Sequence, residues 1–396
     1  MANVQVNPEI LRWARETAGL TLDKAAKKLQ IHPNLKKTGA DKLSEMELGI
    51  GHPSRPLLLK MSKQYHRSIL TFYLEEPPIK GDRGQDFRQL PQDYAQVDEG
   101  LVDALVRDIR TRQNILRAAI EDEEEARPLP FVGSMNINNG LDRVRESILA
   151  TIKFDLAVFR EQRSIQEAFA YLRSRAEASG MFVLIMGDLG SHHTKIPVEA
   201  FRGFALADKV APFVIINDQD AKSAWSFTLF HELAHIWLGQ TGISGEIVES
   251  NLERFCDDVA SAILLPDGLQ DLNITEQTDF NTSVDLINRF SSARKVSNSM
   301  VAYKLYRLRR ISFEKWSLLR TEFKRLWLTY RKEQREAASA QEGGPNYYIV
   351  KRYRVGKGLV ELVSRMTLSG TLTSTKAGKV LGVKPRNVFE FITPLS

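Results

Sequence analysis

The sequence predicts an α+β chain with a helical N-terminal domain, a central region that contains a small mixed sheet, and a helical, basic C-terminal region. Three observations predict this class. Apolar residues recur at helical spacing through residues 1–180, short β-rich segments follow between 181 and 216, and helical patterns return with many Lys and Arg residues after 281. We divide the 396 residues into five segments, 1–78, 79–180, 181–280, 281–340 and 346–396.

The composition is that of a globular protein. Hydrophobic residues make up 43% and charged residues 26%, which excludes a disordered or collagen-like chain. The longest apolar run, Met181–Met186, is far shorter than the roughly 20 residues that cross a bilayer, and the N-terminus has no signal-peptide pattern. A single cysteine, Cys256, excludes an internal disulfide. We therefore expect a protein of the reducing cytoplasm, without a membrane partner.

Charge is spread unevenly along the chain. Residues 1–80 carry 13 Lys and Arg against 8 Asp and Glu, residues 281–396 carry 23 against 8, and the residues between them carry 19 against 33. Basic ends around an acidic middle favour nucleic acid or an acidic protein as a partner. Solubility charge that happens to be unevenly placed is the alternative interpretation.

Five short helices are predicted in the first 78 residues, a pattern typical of a helix-turn-helix domain. Asn7 caps the first, which has Pro8 at its first position and ends before Gly19. Capping residues and helical spacing predict the others at Leu22–Leu29, at Asp41–Leu48, from Pro53 onwards and near Ser68–Leu74.

The central region alternates between helix and strand. A linker is predicted at 79–95 and a long helix at 97–125, because apolar residues follow i, i+4 spacing there. Later helices are predicted at about 140–152, 160–179, 221–238, 247–265 and across 283–340. Strands are predicted at Met181–Met186, Phe201–Leu206 and Pro212–Ile216. A polar linker at 331–345 precedes the last module, in which Thr373 caps a helix that ends at Gly382.

The strongest chemical signal is the HExxH sequence at residues 231–235. Histidines at i and i+4 lie on one helical face, so the imidazoles of His231 and His235 can reach a single ion. Glu232 lies where it can act as a general base. The flanking residues are mostly apolar, which predicts a buried helix, and a buried pair of histidines with a glutamate indicates a metal.

A catalytic zinc site needs a third protein ligand. No histidine follows His235, so a downstream acid is the better candidate. Glu249, Glu253 and Asp257 fall on one i, i+4 stripe of the next predicted helix. Glu253 is 18 residues after His235, which leaves room for a turn, and Asp257 is placed to accept the second N–H of a ligand histidine.

Two segments, 214–239 (VIINDQDAKSAWSFTLFHELAHIWLG) and 253–266 (ERFCDDVASAILLP), together with Arg202-Gly203-Phe204, resemble the ImmA/IrrE family of zinc metallo-endopeptidase domains. The resemblance implies a zincin-like fold over about 181–330. It also implies Zn²⁺ bound by His231, His235 and Glu253, with Glu232 as the catalytic acid/base. The implied substrate is a cytoplasmic regulatory protein of the repressor type.

The N-terminal segment resembles the Xre-type helix-turn-helix domain that often accompanies this peptidase, through residues 7–29, 49–78 and Asp86-Phe87-Arg88. A longer connection, Ile31–Ala40, replaces the tight turn before the second helix of the motif, which would displace that helix relative to the major groove. Phosphate contacts are expected from Lys36, Lys37, Lys42 and Arg55. A protein-docking or dimerisation module is the alternative for this domain.

The aromatic and basic tail is the second candidate for nucleic-acid contact, through Lys351, Arg352 and Arg354, or for contact with an acidic partner. A dimer through the N-terminal domain or the long helix is also expected. We expect His192 and His193 to be exposed loop histidines, and we expect Cys256 to be a small buried residue.

Three functions compete at this point. The first is a zinc endopeptidase, to which an extended substrate would add as a strand near Pro212–Ile216. The second is a metal-binding, antitoxin-like protein that neutralises a neighbour-encoded toxin. The third alternative is a DNA-binding transcriptional regulator without proteolysis.

Overall fold

A computed structural model describes residues 5–78, 96–124, 126–240, 242–244, 251–339 and 346–393. Contacts divide the chain into two compact units, residues 1–110 with 188–201, and residues 111–187 with 202–396. The four strands are β1 (Phe182–Ile185), β2 (Gly203–Leu206), β3 (Phe213–Ile216) and β4 (Gly242–Ser244). The helices are α1 (Pro8–Thr17), α2 (Leu22–Leu29), α3 (Gly39–Glu47), α4 (Arg55–Gln64), α5 (Gln96–Asp122), α6 (Leu141–Ile152), α7 (Leu156–Glu161), α8 (Ile165–Ala178), α9 (Trp225–Trp237), α10 (Asn251–Leu264), α11 (Phe280–Arg294), α12 (Asn298–Arg307), α13 (Phe313–Ser339), α14 (Tyr347–Val355), α15 (Lys357–Leu368), α16 (Ser374–Leu381) and α17 (Val388–Ile392).

The N-terminal helices begin where their capping residues predict. Asn7 accepts a hydrogen bond from the backbone N–H of Glu9, and Thr21 and Ser54 do the same for Lys24 and Leu57. A short 3₁₀ segment, Ile69–Tyr73, follows α4. Apolar residues of these segments, including Ile10, Leu43, Met61 and Phe72, form a separate buried core.

The connection between α2 and α3 is long, as the sequence predicts, but α3 begins at Gly39 rather than at Asp41. Thr38 and Asp41 exchange hydrogen bonds in a capping box, which fixes this start. A Cβ at Gly39 would lie 2.3 Å from the carbonyl oxygen of Ile31, so only glycine lets the connection pack so closely on the helix start. The nine residues from 30 to 38 therefore form an ordered loop rather than a tight turn.

The second unit contains the sheet, with strand order β1-β3-β2-β4. β3 pairs in parallel with β1 and antiparallel with β2, and β2 pairs antiparallel with β4. Because β3 lies between two strands, it has no open edge, and the expectation that a substrate strand adds at residues 212–216 is wrong. The three predicted strands are confirmed within two residues at each end.

The HExxH helix, α9, packs on the sheet and on α10. Every residue from Trp225 to Trp237 is buried except the half-buried Phe227, which confirms the predicted burial. Gly239 adopts a positive φ of 66° and ends the helix. The N–H groups of Gly133 and Met135 bind the last carbonyls of α9, and a Cβ at Gly239 would lie 2.9 Å from the Cα of Gly133.

Three further boundaries predicted from the sequence are wrong. The predicted helix at 160–179 is two helices, α7 and α8, because Ser164 caps a new start. The helix predicted from 221 begins only at Trp225, since residues 222–224 form a turn. Residues 331–339 continue α13 and are not a linker.

Several predictions fall outside the described residues. They are the linker at 79–95 with Asp86-Phe87-Arg88, Glu249, the start of the helix predicted from 247, and the remaining linker at 340–345. The five segment boundaries stay predictions. Among the described helices, none is both long and apolar enough to cross a membrane.

Candidate metal centre

The site is built by two helices of the second unit. α9 carries His231 and His235 one turn apart, and Glu253 lies in the first turn of α10. The Nε2 atoms of the two histidines are 3.1 Å apart. Each lies 3.2 Å from a different carboxylate oxygen of Glu253, and all three side chains are buried. The structure thus brings together the three residues that the sequence selects.

The donor set fits a tetrahedral ion. Bonds of about 2.0–2.1 Å separate neighbouring ligand atoms in a tetrahedral site by about 3.3–3.4 Å. The observed separations of 3.1–3.2 Å are close to this value. Two imidazole nitrogens and a carboxylate oxygen are ligands that Zn²⁺ accepts, and among the described residues this is the group that can hold a metal.

Asp257 lies one turn after Glu253 and contacts the other ring nitrogen of His231, with 2.9 Å between its Oδ1 and Nδ1. Burial lowers the pKa of His231, but the hydrogen bonds with Asp257 and Glu253 outweigh burial and raise this pKa well above its usual value. For Glu253 the directions are reversed. Burial alone would raise the pKa of this carboxyl, but the hydrogen bonds with His231 and His235 outweigh burial and lower it. The carboxylates therefore favour a positive charge at this point.

Glu232 is fully buried beside β2. A Cβ at Gly203, the first residue of β2, would lie 2.9 Å from Oε1 of Glu232, 2.6 Å from Cγ2 of Thr228 and 3.0 Å from the backbone oxygen of Ile215. Glycine at this position thus leaves the space that the Glu232 carboxylate occupies. Sequence reasoning quoted Gly203 only as part of a motif and missed this contact.

The basic residues predicted to contact DNA in the first unit have mixed surroundings. Lys37 forms an ion pair with Glu45, and Lys42 donates a hydrogen bond of 2.9 Å to the backbone oxygen of His32. Lys36 and Arg55 are exposed. DNA contact by these four residues stays a prediction.

The basic residues of the tail lie in the second unit. Arg352 donates to the backbone oxygens of Phe391 and Thr393, and Arg354 forms an ion pair with Asp218. Lys351 lies within about 3 Å of where a Cβ on Gly382 would be. Arg352 and Arg354 thus bind within the chain, and the role of all three residues in partner contact stays a prediction.

Two weaker expectations concern His193 and Cys256. His193 is exposed within a short 3₁₀ turn, His192–Thr194, and nothing is described of the side chain of His192. Cys256 is buried, which confirms the interpretation as a core residue.

Comparison with known protein families bears on the same residues. Residues 187–306 match the IrrE N-terminal-like domain. This is a metallopeptidase family, and the matched segment contains both α9 and α10, so the similarity supports a metallopeptidase of the IrrE/ImmA type. No curated protein and no solved structure matches the chain.

Proposed function

We propose that the chain is a zinc-dependent endopeptidase whose metal is held by His231, His235 and Glu253. The observation that carries the proposal is the convergence of three buried side chains beside the buried Glu232: the two histidine Nε2 atoms are 3.1 Å apart, and each is 3.2 Å from one oxygen of the Glu253 carboxylate. Three buried ionisable groups at this spacing are costly without an ion, because the histidine nitrogens and the carboxylate lose their hydration. The match to a metallopeptidase family supports the same chemistry.

Each residue has a defined part in the reaction. Bound Zn²⁺ supplies Lewis-acid polarisation and lowers the pKa of water at the site. Glu232 accepts the proton of the attacking water and donates it to the leaving amine. Asp257 accepts a hydrogen bond from Nδ1 of His231, which keeps Nε2 available as a ligand and fixes the orientation of the ring.

An extended substrate has one suitable sheet edge in the described part of the chain. β1 and β4 are the outer strands, and Arg173 already donates a hydrogen bond to the backbone oxygen of Val183 in β1. A peptide that adds to the sheet would therefore pair with β4. A regulatory protein as the substrate, and coupling to an N-terminal DNA-binding domain, rest on the family resemblance alone.

Replacement of Glu232 tests the proposal. Glu232→Gln keeps the shape of the side chain but removes the base, so we expect cleavage to fall by about 10²–10⁴-fold while bound zinc is retained. The assay compares new protein N-termini in a cell lysate treated with the wild type or the variant. Equal cleavage by both proteins would refute the role of Glu232, and the absence of any zinc-dependent cleavage by the wild type would refute the peptidase function.

A further inference from the structure

The last segment of the chain forms a compact helical element that the peptidase function does not use. α16 ends at Gly382, which has a positive φ of 67°, and residues 383 and 384 lead into a 3₁₀ turn, Pro385–Asn387, that continues directly into α17. Thr373 caps α16 by accepting a hydrogen bond from the N–H of Lys376. Two short helical segments thus meet through a turn of a few residues that contains glycine, which is the arrangement of a helix-turn-helix.

Small residues at two positions make this turn possible. A Cβ at Gly378, in the middle of α16, would lie 2.8 Å from the backbone oxygen of Val383 and 3.2 Å from the nitrogen of Pro385, so the turn packs directly on the helix. Gly382 supplies the left-handed conformation four residues later. Apolar side chains on both segments and on α15 close a small core, which contains Leu359, Val363, Ala377, Val380, Leu381, Val388 and Phe391.

Neighbouring side chains hold both segments of the element in place. Arg352 of α14 donates to the backbone oxygens of Phe391 and Thr393 at its C-terminal end. The hydroxyl of Tyr348 donates a hydrogen bond of 2.8 Å to Glu390. Arg112 of α5 donates to the backbone oxygen of Val380 at the end of α16. Arg352, which the sequence predicts to bind a partner, therefore stabilises this element through hydrogen bonds to its backbone.

The outer surface of the element is basic. Residues 346–393 contain nine Lys and Arg against two Asp and Glu. Four of these cations lie on α16 or in the turn, and all four are exposed: Lys376, Lys379, Lys384 and Arg386. Phe389, on α17, is 54% exposed, although the apolar residues on either side of it, Val388 and Phe391, are buried. The module thus presents an exposed aromatic ring on the segment that follows these four cations.

We propose that residues 373–392 are a second helix-turn-helix that binds double-stranded DNA. Its lysines contact backbone phosphates, and the segment that begins at Pro385 enters the major groove, where Arg386 and Phe389 reach the base edges. Arginine reads guanine and an aromatic ring contacts the thymine methyl group, so these two side chains suit a base-reading face. DNA is favoured over an acidic protein because the cations lie on a turn and helix of the shape that fits a groove.

The test uses the full chain and a fluorescent 30-base-pair duplex of mixed sequence, with binding followed by anisotropy at several salt concentrations. We expect the double variant Lys384→Ala/Arg386→Ala to bind about tenfold or more weakly. The slope of log affinity against log salt should become shallower by about 0.9, since the lost Lys384 contacts a phosphate whereas the lost Arg386 contacts a base.

The matched control is Lys357→Ala/Arg365→Ala, which removes two exposed positive charges from α15 in the same module. It should bind DNA almost as the wild type does. Equal loss in both double variants would show a general charge effect and overturn the proposal. Binding that is unchanged in Lys384→Ala/Arg386→Ala but abolished by Lys36→Ala/Arg55→Ala would assign DNA contact to the N-terminal domain instead. Absence of DNA binding at low salt would leave an acidic protein as the partner and also overturn it.

Discussion

At the scale of single residues, His231 has a carboxylate at each ring nitrogen. Glu253 lies 3.2 Å from Nε2 and Asp257 lies 2.9 Å from Nδ1. The two acids are four residues apart on α10, so one helical face supplies both contacts. This spacing is visible in the sequence, which is why Asp257 could be predicted without a structure.

Loss of Asp257 should weaken metal binding without removing a ligand. Asp257→Ala deletes the hydrogen-bond acceptor of Nδ1, so His231 loses its fixed orientation and the zinc affinity should fall by about 10- to 100-fold. Competition with a chromophoric chelator measures this affinity. Asp258→Ala is the matched control, because Asp258 is the next acid on the same helix and is exposed. Identical zinc affinity in the Asp257 and Asp258 variants would remove Asp257 from the site.

At the scale of secondary-structure elements, β2 and α9 must approach closely for Glu232 to fit. Gly203 permits the approach, because a methyl group there would meet Glu232, Thr228 and the backbone of Ile215 at 3.0 Å or less. Sequence periodicity cannot predict such a contact, because Gly203 on the strand and Glu232 on the helix are 29 residues apart in the sequence. Packing of this kind appears only when both elements are placed.

Gly203→Ala should therefore damage catalysis more than metal binding. The added methyl group must displace Glu232 or shift β2, and overpacking of this kind costs about 1–3 kcal/mol of stability. We expect cleavage to fall at least tenfold while zinc stays bound to the three ligands. Thermal unfolding and zinc content, measured beside cleavage, separate the two effects. A variant with wild-type activity would show that Glu232 does not need this space.

Element boundaries follow the sequence where a capping residue or a glycine marks them. Thr21, Thr373 and Gly382 mark helix ends that were predicted and are observed. The break between α7 and α8 is not predicted from the sequence, although Ser164 and Glu167 have the spacing of a capping box. Ser164 accepts a hydrogen bond from the N–H of Glu167, whose carboxylate accepts one from the N–H of Arg163. Residues 331–339 were assigned to a linker from their polar composition, and they continue α13 instead.

At the scale of the whole molecule, the second unit is joined by contacts between distant parts of the sequence. The buried side chain of Arg173 on α8 donates to the backbone oxygens of Val183 in β1 and of Tyr353 and Arg354 in α14. Its neighbour Glu177 accepts a hydrogen bond from the N–H of Gly358 at the start of α15. Partners up to 181 residues apart cannot be inferred from local patterns.

The charge distribution shows the same limit. Counting Lys and Arg gave the basic C-terminal region, but it could not separate residues that support the fold from those that face outward. Arg352 and Arg354 bind within the chain, whereas Lys384 and Arg386 are exposed. The fold class and the metal-site residues follow from the sequence, whereas the residues proposed to contact DNA can be chosen only from the structure.

The most direct test of the account is the zinc content of the purified chain. Native mass spectrometry should find about one zinc per chain in the wild type and in His193→Ala, in which an exposed histidine is removed. His235→Ala should hold none, because it removes one of the three buried donors. Stoichiometric zinc of unchanged affinity in His235→Ala would contradict the account, since the metal would then be bound elsewhere.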